Sequence, residues 1–167
     1  MRRNYLKLLT LGLFFTFSFF LNLPQAQAVN GVITFNDISP VNTLLSGIYP
    51  TGLADWGTNQ WYVSGPWNLF TSNSISYPNE SITSASFTFT SPSILTSVDA
   101  YNGGSGSTNI TLACTGNTQK TQTVPAGQLV TIQTNWITPC SIVTIGSTNG
   151  WWTNFDTISY GTTAPTL

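Results

Sequence analysis

After residue 29 the chain falls into short stretches in which apolar and polar side chains alternate one by one, and this period constrains its fold more than any other feature. Residues 31–37 put Ile33 and Phe35 on one side, and residues 84–89 put Phe87 and Phe89 together. Stretches at 94–101, 109–114, 128–134 and 141–145 carry the same pattern. A period of two belongs to an extended strand with one buried face. No window sustains a 3.6-residue period with helix formers. Turn-forming residues separate the stretches, as in Pro78-Asn79, Ser91-Pro92, Asn102-Gly103-Gly104, Pro125-Ala126-Gly127 and Asn149-Gly150. Many short strands at near-regular spacing predict an all-β fold, an antiparallel sandwich or barrel.

The residues before this region form an export signal. Arg2, Arg3 and Lys7 make a positive start, residues 8–23 an uncharged and mostly apolar core, and Ala26-Gln27-Ala28 a small-residue cleavage site. The expected organisation is a signal peptide over 1–28, one domain over 29–160 and a flexible tail over 161–167. The mature chain is then secreted, with no further segment that could cross a bilayer as a helix. A membrane anchor is the competing reading, but the apolar run is short for one.

Cleavage removes all but one basic residue. Lys120 remains against Asp37, Asp55, Asp99, Asp156 and Glu80, a formal net charge of −4. Such a chain cannot neutralise a phosphate backbone, so nucleic acid is excluded as a partner. Anionic lipid surfaces are disfavoured for the same reason. Cys114 and Cys140 make an even pair in an exported protein and predict a disulfide. Closing that loop stabilises the fold by roughly 3 kcal/mol.

Two carboxylates pose a problem of placement. Asp37 follows Ile33 and Phe35 on their side of a strand, and Asp156 precedes Ile158 and Tyr160 on theirs. Alternation sets both at the rim of the core, where an unpaired charge is costly. Backbone N–H donors, a raised pKa, solvent at the strand end or a cation could each resolve this. A hard cation with oxygen ligands fits the inventory best: calcium on Asp37 and Asp156, with Asn36 and Asn154 as helpers. The competing reading makes each Asp a turn cap or an acceptor of backbone hydrogen bonds. Zinc is disfavoured, because histidine is absent and the cysteines pair with each other.

Six tryptophans are more than the core of one small domain requires. Residues 49–77 hold three of them among Gly, Asn and Ser, and read as short strands joined by long loops. Sugar rings stack on aromatic planes, and their hydroxyls need amide and carboxylate partners. The candidate ligand-binding residues are Asp55, Trp56, Asn59, Trp61, Tyr62, Trp67 and Trp151. If Trp151 and Trp152 lie in a strand, one faces the core and the other solvent. For any single aromatic residue a core role is the competing reading.

The segments ITFNDI near the start, DAYNGG in the middle and NGWWTNFDTISY near the end resemble small secreted domains of the galactose-binding-like type. Many of these are carbohydrate-binding modules of bacterial polysaccharide-degrading systems. The resemblance implies a jelly-roll β-sandwich whose first and last strands are neighbours, with a structural calcium near them and a glycan as ligand. Catalysis has poor support: there is no histidine, and no Ser–base pair is available. The leading expectation is a secreted, non-catalytic carbohydrate-binding domain. An extracellular structural or adhesive protein with a protein partner is the alternative. A carboxylate-dependent glycoside hydrolase ranks third.

Overall fold

The computed structural model describes residues 31–162. The leader expected over 1–28 lies outside the described residues, as does most of the 161–167 tail. The strands are β1 (Gly31–Ile33), β2 (Thr43–Leu45), β3 (Ala54–Asp55), β4 (Trp61–Ser64), β5 (Ser74–Ser76) and β6 (Ser84–Asn102), followed by β7 (Thr108–Cys114), β8 (Lys120–Val124), β9 (Leu129–Gln133), β10 (Cys140–Ser147) and β11 (Thr153–Gly161). A 3-10 turn, Gly150–Trp152, precedes β11. Among the described residues there is no α-helix, and none long and apolar enough to cross a membrane.

Every strand pairing is antiparallel. One sheet runs β2-β4-β5-β11-β6-β9, with β1 also on β11. The other runs β3-β6-β10-β7-β8. The long β6 belongs to both. Its first half pairs with β10 and its second half, from Ile94, with β11. The change of sheet falls beside Pro92, which has no N–H to give a ladder and so suits a break in pairing. The fold is thus the all-β antiparallel sandwich that the alternation predicts, and its first and last strands are neighbours.

The two inner faces meet in one aromatic core. Trp56 and Trp61 are fully buried there, 5.6 Å apart edge to face. Phe87 lies 4.7 Å from Trp56, and Tyr77 stacks on Trp61 at 5.7 Å. Each large apolar side chain buried in this way contributes about 1.5–3 kcal/mol. The predicted disulfide is present and joins the end of β7 to the start of β10, with the Cα atoms 6.1 Å apart.

The last strand departs from simple alternation. Phe155 and Ile158 are both fully buried in the core, although three positions apart. Thr157 adopts φ +50°, and the register on β6 shifts between Asp156 and Ser159. The extra residue is a β-bulge, which reverses the sidedness of the residues after it. Asp156 therefore does not share a face with Ile158. It stands directly opposite Asp99, whose neighbours Val98 and Ala100 point into the core, so both carboxylates lie on the outer face of the sheet. Asp37 is also displaced from its expected place. β1 stops at Ile33, and Asp37 sits exposed in a turn closed by the Ile38 N–H on the Phe35 carbonyl.

Candidate functional site

The outer face of the first sheet carries rows of side chains set by the strand register. Leu44, Tyr62 and Ser76 lie side by side across β2, β4 and β5. Asn154, Tyr101 and Leu129 continue across β11, β6 and β9. Next to them run Ser64 beside Ser74, and Asp156 beside Asp99 beside Thr131. The middle of this face is covered: Ser74, Ser76, Asn154 and Asp156 are 0–3% exposed, while Leu44 and Leu129 at its edges are exposed.

The cover is the segment 65–72 between β4 and β5. Gly65-Pro66 turns the chain out of β4, and the segment then folds back over the sheet. Trp67 and Phe70 exchange backbone hydrogen bonds of 2.9 and 3.0 Å. Both rings meet the edge of Tyr101, at 5.3 and 6.4 Å. At the far end Ser72 Oγ donates to Asp156 Oδ2 over 3.1 Å. Asn73 Nδ2 donates to the carbonyls of Phe35 and Ile38, which ties the segment to the first turn.

Between this cover and the Gly150–Trp152 turn opens a cleft of about 290 Å³. Tyr62, Trp67, Trp151 and Trp152 supply its aromatic surface, and Asn42, Ser64, Ser76 and Asn154 its polar groups. Gly65 and Pro66 complete the lining, which holds no charged side chain. Trp151 rests against Tyr62 with ring centroids 5.0 Å apart, and Trp152 is 46% exposed. Neither is a core residue, because they lie in a 3-10 turn and not in a strand.

The indole N–H groups divide the tryptophans into two sets. Trp56 donates to the Tyr49 carbonyl, Trp61 to that of Ser86 and Trp136 to that of Thr118. These three are buried and their donors are satisfied. Trp67, Trp151 and Trp152 donate to no group among the described residues, and all three line the cleft.

The sequence candidates divide accordingly. Tyr62, Trp67 and Trp151 come together in the cleft. Trp56 and Trp61 do not: as ligand platforms they are corrected to core residues, since no ligand reaches a fully buried ring. Asp55 closes a turn by accepting the Gly57 N–H at 2.9 Å. Asn59 is an exposed turn residue with φ +58°. Sequence reasoning missed Asn42, Ser64, Ser76 and Trp152. Only the register of the sheet and the course of the cover bring them together.

The metal candidates are partly gathered. The Tyr49 hydroxyl donates to Asp37 Oδ1, and the negative charge of Asp156 also acts on it. Burial first, then Asp37 and Asp156, raise the Tyr49 phenol well above its ordinary range. Burial likewise pushes the Asp156 carboxyl up. The Thr157 N–H and the Ser72 hydroxyl pull it down, and Asp99 pushes it up further. Asp156 Oδ1 is buried without a hydrogen-bond partner. An orphaned carboxylate oxygen is one kind of ligand that calcium takes. Among the described residues no three acidic, His or Cys side chains converge as a metal-binding group. Asn36 is exposed, while Asn154 gives its amide N–H to Ser74 Oγ at 2.8 Å and faces the cleft.

No protein-family model and no curated protein matches the chain. Among solved structures it is similar to that of TmCBM61 in complex with beta-1,4-galactotriose, at 13% identity and a TM-score of 0.36, covering 72% of this chain and 96% of that chain.

Proposed function

We propose that the protein is a secreted, non-catalytic carbohydrate-binding domain whose ligand occupies the cleft between segment 65–72 and the Gly150–Trp152 turn. The observation that carries this reading is the division of the tryptophans. Three are buried with satisfied donors, and three line one cleft and donate to no group among the described residues. Aromatic planes beside amides and hydroxyls offer a sugar both stacking and hydrogen bonds. Binding proceeds without cleavage, because glycoside hydrolysis needs two carboxylates flanking the bond and the lining has none. Export fits the leader and the disulfide.

The reading includes a structural calcium beside Asp156 and Asp37, near the paired first and last strands. The unpartnered Oδ1 of Asp156 supports it.

Affinity electrophoresis through gels containing neutral, uronic and amino polysaccharides tests the reading. The wild type is slowed by at least one neutral glycan, and Trp151→Ala is not. Unchanged migration of the wild type in every gel refutes it and leaves the alternative, an adhesive domain with a protein partner.

A further inference from the structure

We propose that Asn154 and Ser76 form an acceptor pair on the floor of the cleft, which selects a sugar ring presenting two adjacent free hydroxyls and rejects anionic sugars; this rests on the glycan reading. Phe155 pairs with Ile75 in the antiparallel register of β11 on β5, which sets Asn154 opposite Ser76. Side chains opposite one another on a sheet face have Cβ atoms about 4.5–5.5 Å apart. Both line the cleft, although Asn154 is 2% exposed and Ser76 1%. They belong to its floor, whereas Trp67, Trp151 and Trp152 are less buried.

Each of the two side chains turns a donor toward the protein and leaves an acceptor to the cleft. Asn154 Nδ2 donates to Ser74 Oγ at 2.8 Å, which fixes the plane of the amide. Its Oδ1 receives no hydrogen bond among the described residues. Asp156 Oδ1 is sealed from solvent, but Asn154 Oδ1 is not, and its residue lines the cleft. Ser76 Oγ donates its hydrogen to the Tyr77 carbonyl at 3.3 Å, and its lone pairs are left over. A group that fits this floor must donate twice, from neighbouring atoms. Adjacent ring hydroxyls of a sugar do so. A carboxylate or sulfate brings only acceptors, and the lining holds no charged side chain to receive it. A ring whose hydroxyls are substituted at these positions leaves the two acceptors buried and unpaired, which costs binding. Selectivity thus comes from the ligands turned away as well as from the one retained.

The experiment reads gel retardation by the neutral polysaccharide that slows the wild type most, and by the same polysaccharide after partial O-methylation, which removes hydroxyl donors. The native chain should retard the wild type at least about fivefold more strongly than the methylated one. Asn154→Leu keeps the size of the side chain and removes the acceptor. It should bind the native chain at least about fivefold more weakly and discriminate little between the two. Ser76→Ala should lose discrimination in the same way. Both variants should keep the wild-type thermal midpoint, because both residues lie on the outer face of the sheet. If Asn154→Leu does not fold, Ser76→Ala decides alone. The wild-type ratio in either folded variant overturns the acceptor pair, as does a wild type retarded equally by native and methylated chains. If no polysaccharide retards the wild type, the glycan reading itself fails and the acceptor pair falls with it.

Discussion

Trp67 lies against the backbone of Gly103 so closely that a β-carbon at residue 103 would stand 2.1 Å from the indole Cη2. The Gly103 N–H also donates to the Trp152 carbonyl at 2.8 Å, so this glycine backs two of the cleft's aromatic residues at once. Gly103→Ala should displace Trp67 and weaken glycan binding about tenfold or more, which is at least about 1.4 kcal/mol. Its thermal midpoint should move far less, since Trp67 belongs to the cover and not to the inner core. Wild-type affinity in Gly103→Ala would show that the close packing does not position the ring.

The two tryptophan sets should respond in opposite ways to truncation. Trp56→Ala and Trp61→Ala remove fully buried rings and should cost about 3–5 kcal/mol of stability. Trp151→Ala and Trp152→Ala should leave denaturant midpoints nearly unchanged and remove most binding. Urea denaturation read beside gel retardation separates the outcomes. A Trp151→Ala protein that binds normally but unfolds early would make Trp151 a packing residue.

The fold is legible in the sequence where side chains obey a strict period of two, as in Phe87 and Phe89 on β6 and in Ile110 and Leu112 on β7. These pairs point inward as alternation requires. It is not legible where one residue breaks the period. Thr157 inserts a bulge that no composition signal marks, since a β-branched residue seldom adopts positive φ. Alternation alone therefore assigns Asp156 to the wrong face. The site is half legible for a related reason. Aromatic abundance points to a platform, but Trp56 and Trp61 differ from Trp67 and Trp151 only in what covers them. Cover depends on contacts between segments far apart in the chain, such as Ser72 with Asp156.

The Cys114–Cys140 bridge ties β7 to β10 at the end of their antiparallel ladder, and small polar contacts join the two arms of the loop it closes. Asn117 Nδ2 donates to the Thr138 carbonyl at 2.9 Å, and Trp136 Nε1 to that of Thr118 at 2.8 Å. Denatured, unreduced protein should show no labelled thiol. Replacing both cysteines by Ser should cost about 3 kcal/mol through the freed loop. The cleft lies in other segments, so the double variant should retain glycan affinity under conditions where it is folded. Loss of affinity in a folded double variant would show that the bridge also shapes the cleft.

The pH dependence of stability should carry the mark of Asp156, and its sign is opposite to that of a salt-bridged aspartate. Burial, with Asp99 adding to it, raises the folded-state pKa above the unfolded value of about 3.9. The folded state then binds the proton more tightly than the unfolded chain. Stability from this group is fully present below the unfolded pKa and is lost as pH rises through the folded one. In chelated protein the thermal midpoint should therefore fall as pH is raised from about 4 and level off once Asp156 is ionised in both states. Calcium requires the ionised carboxylate, so its effect should grow over the same interval. At 100 times its dissociation constant it should add about 2.7 kcal/mol. Asp156→Asn removes the titrating group and should flatten both responses while keeping an oxygen for Ser72 to donate to. Scanning calorimetry of both proteins across that range, with chelator and then with calcium, decides the matter. A wild-type midpoint that rises with pH in chelator would mean that Asp156 is stabilised as the anion by groups of the protein itself, and the cation would lose its role.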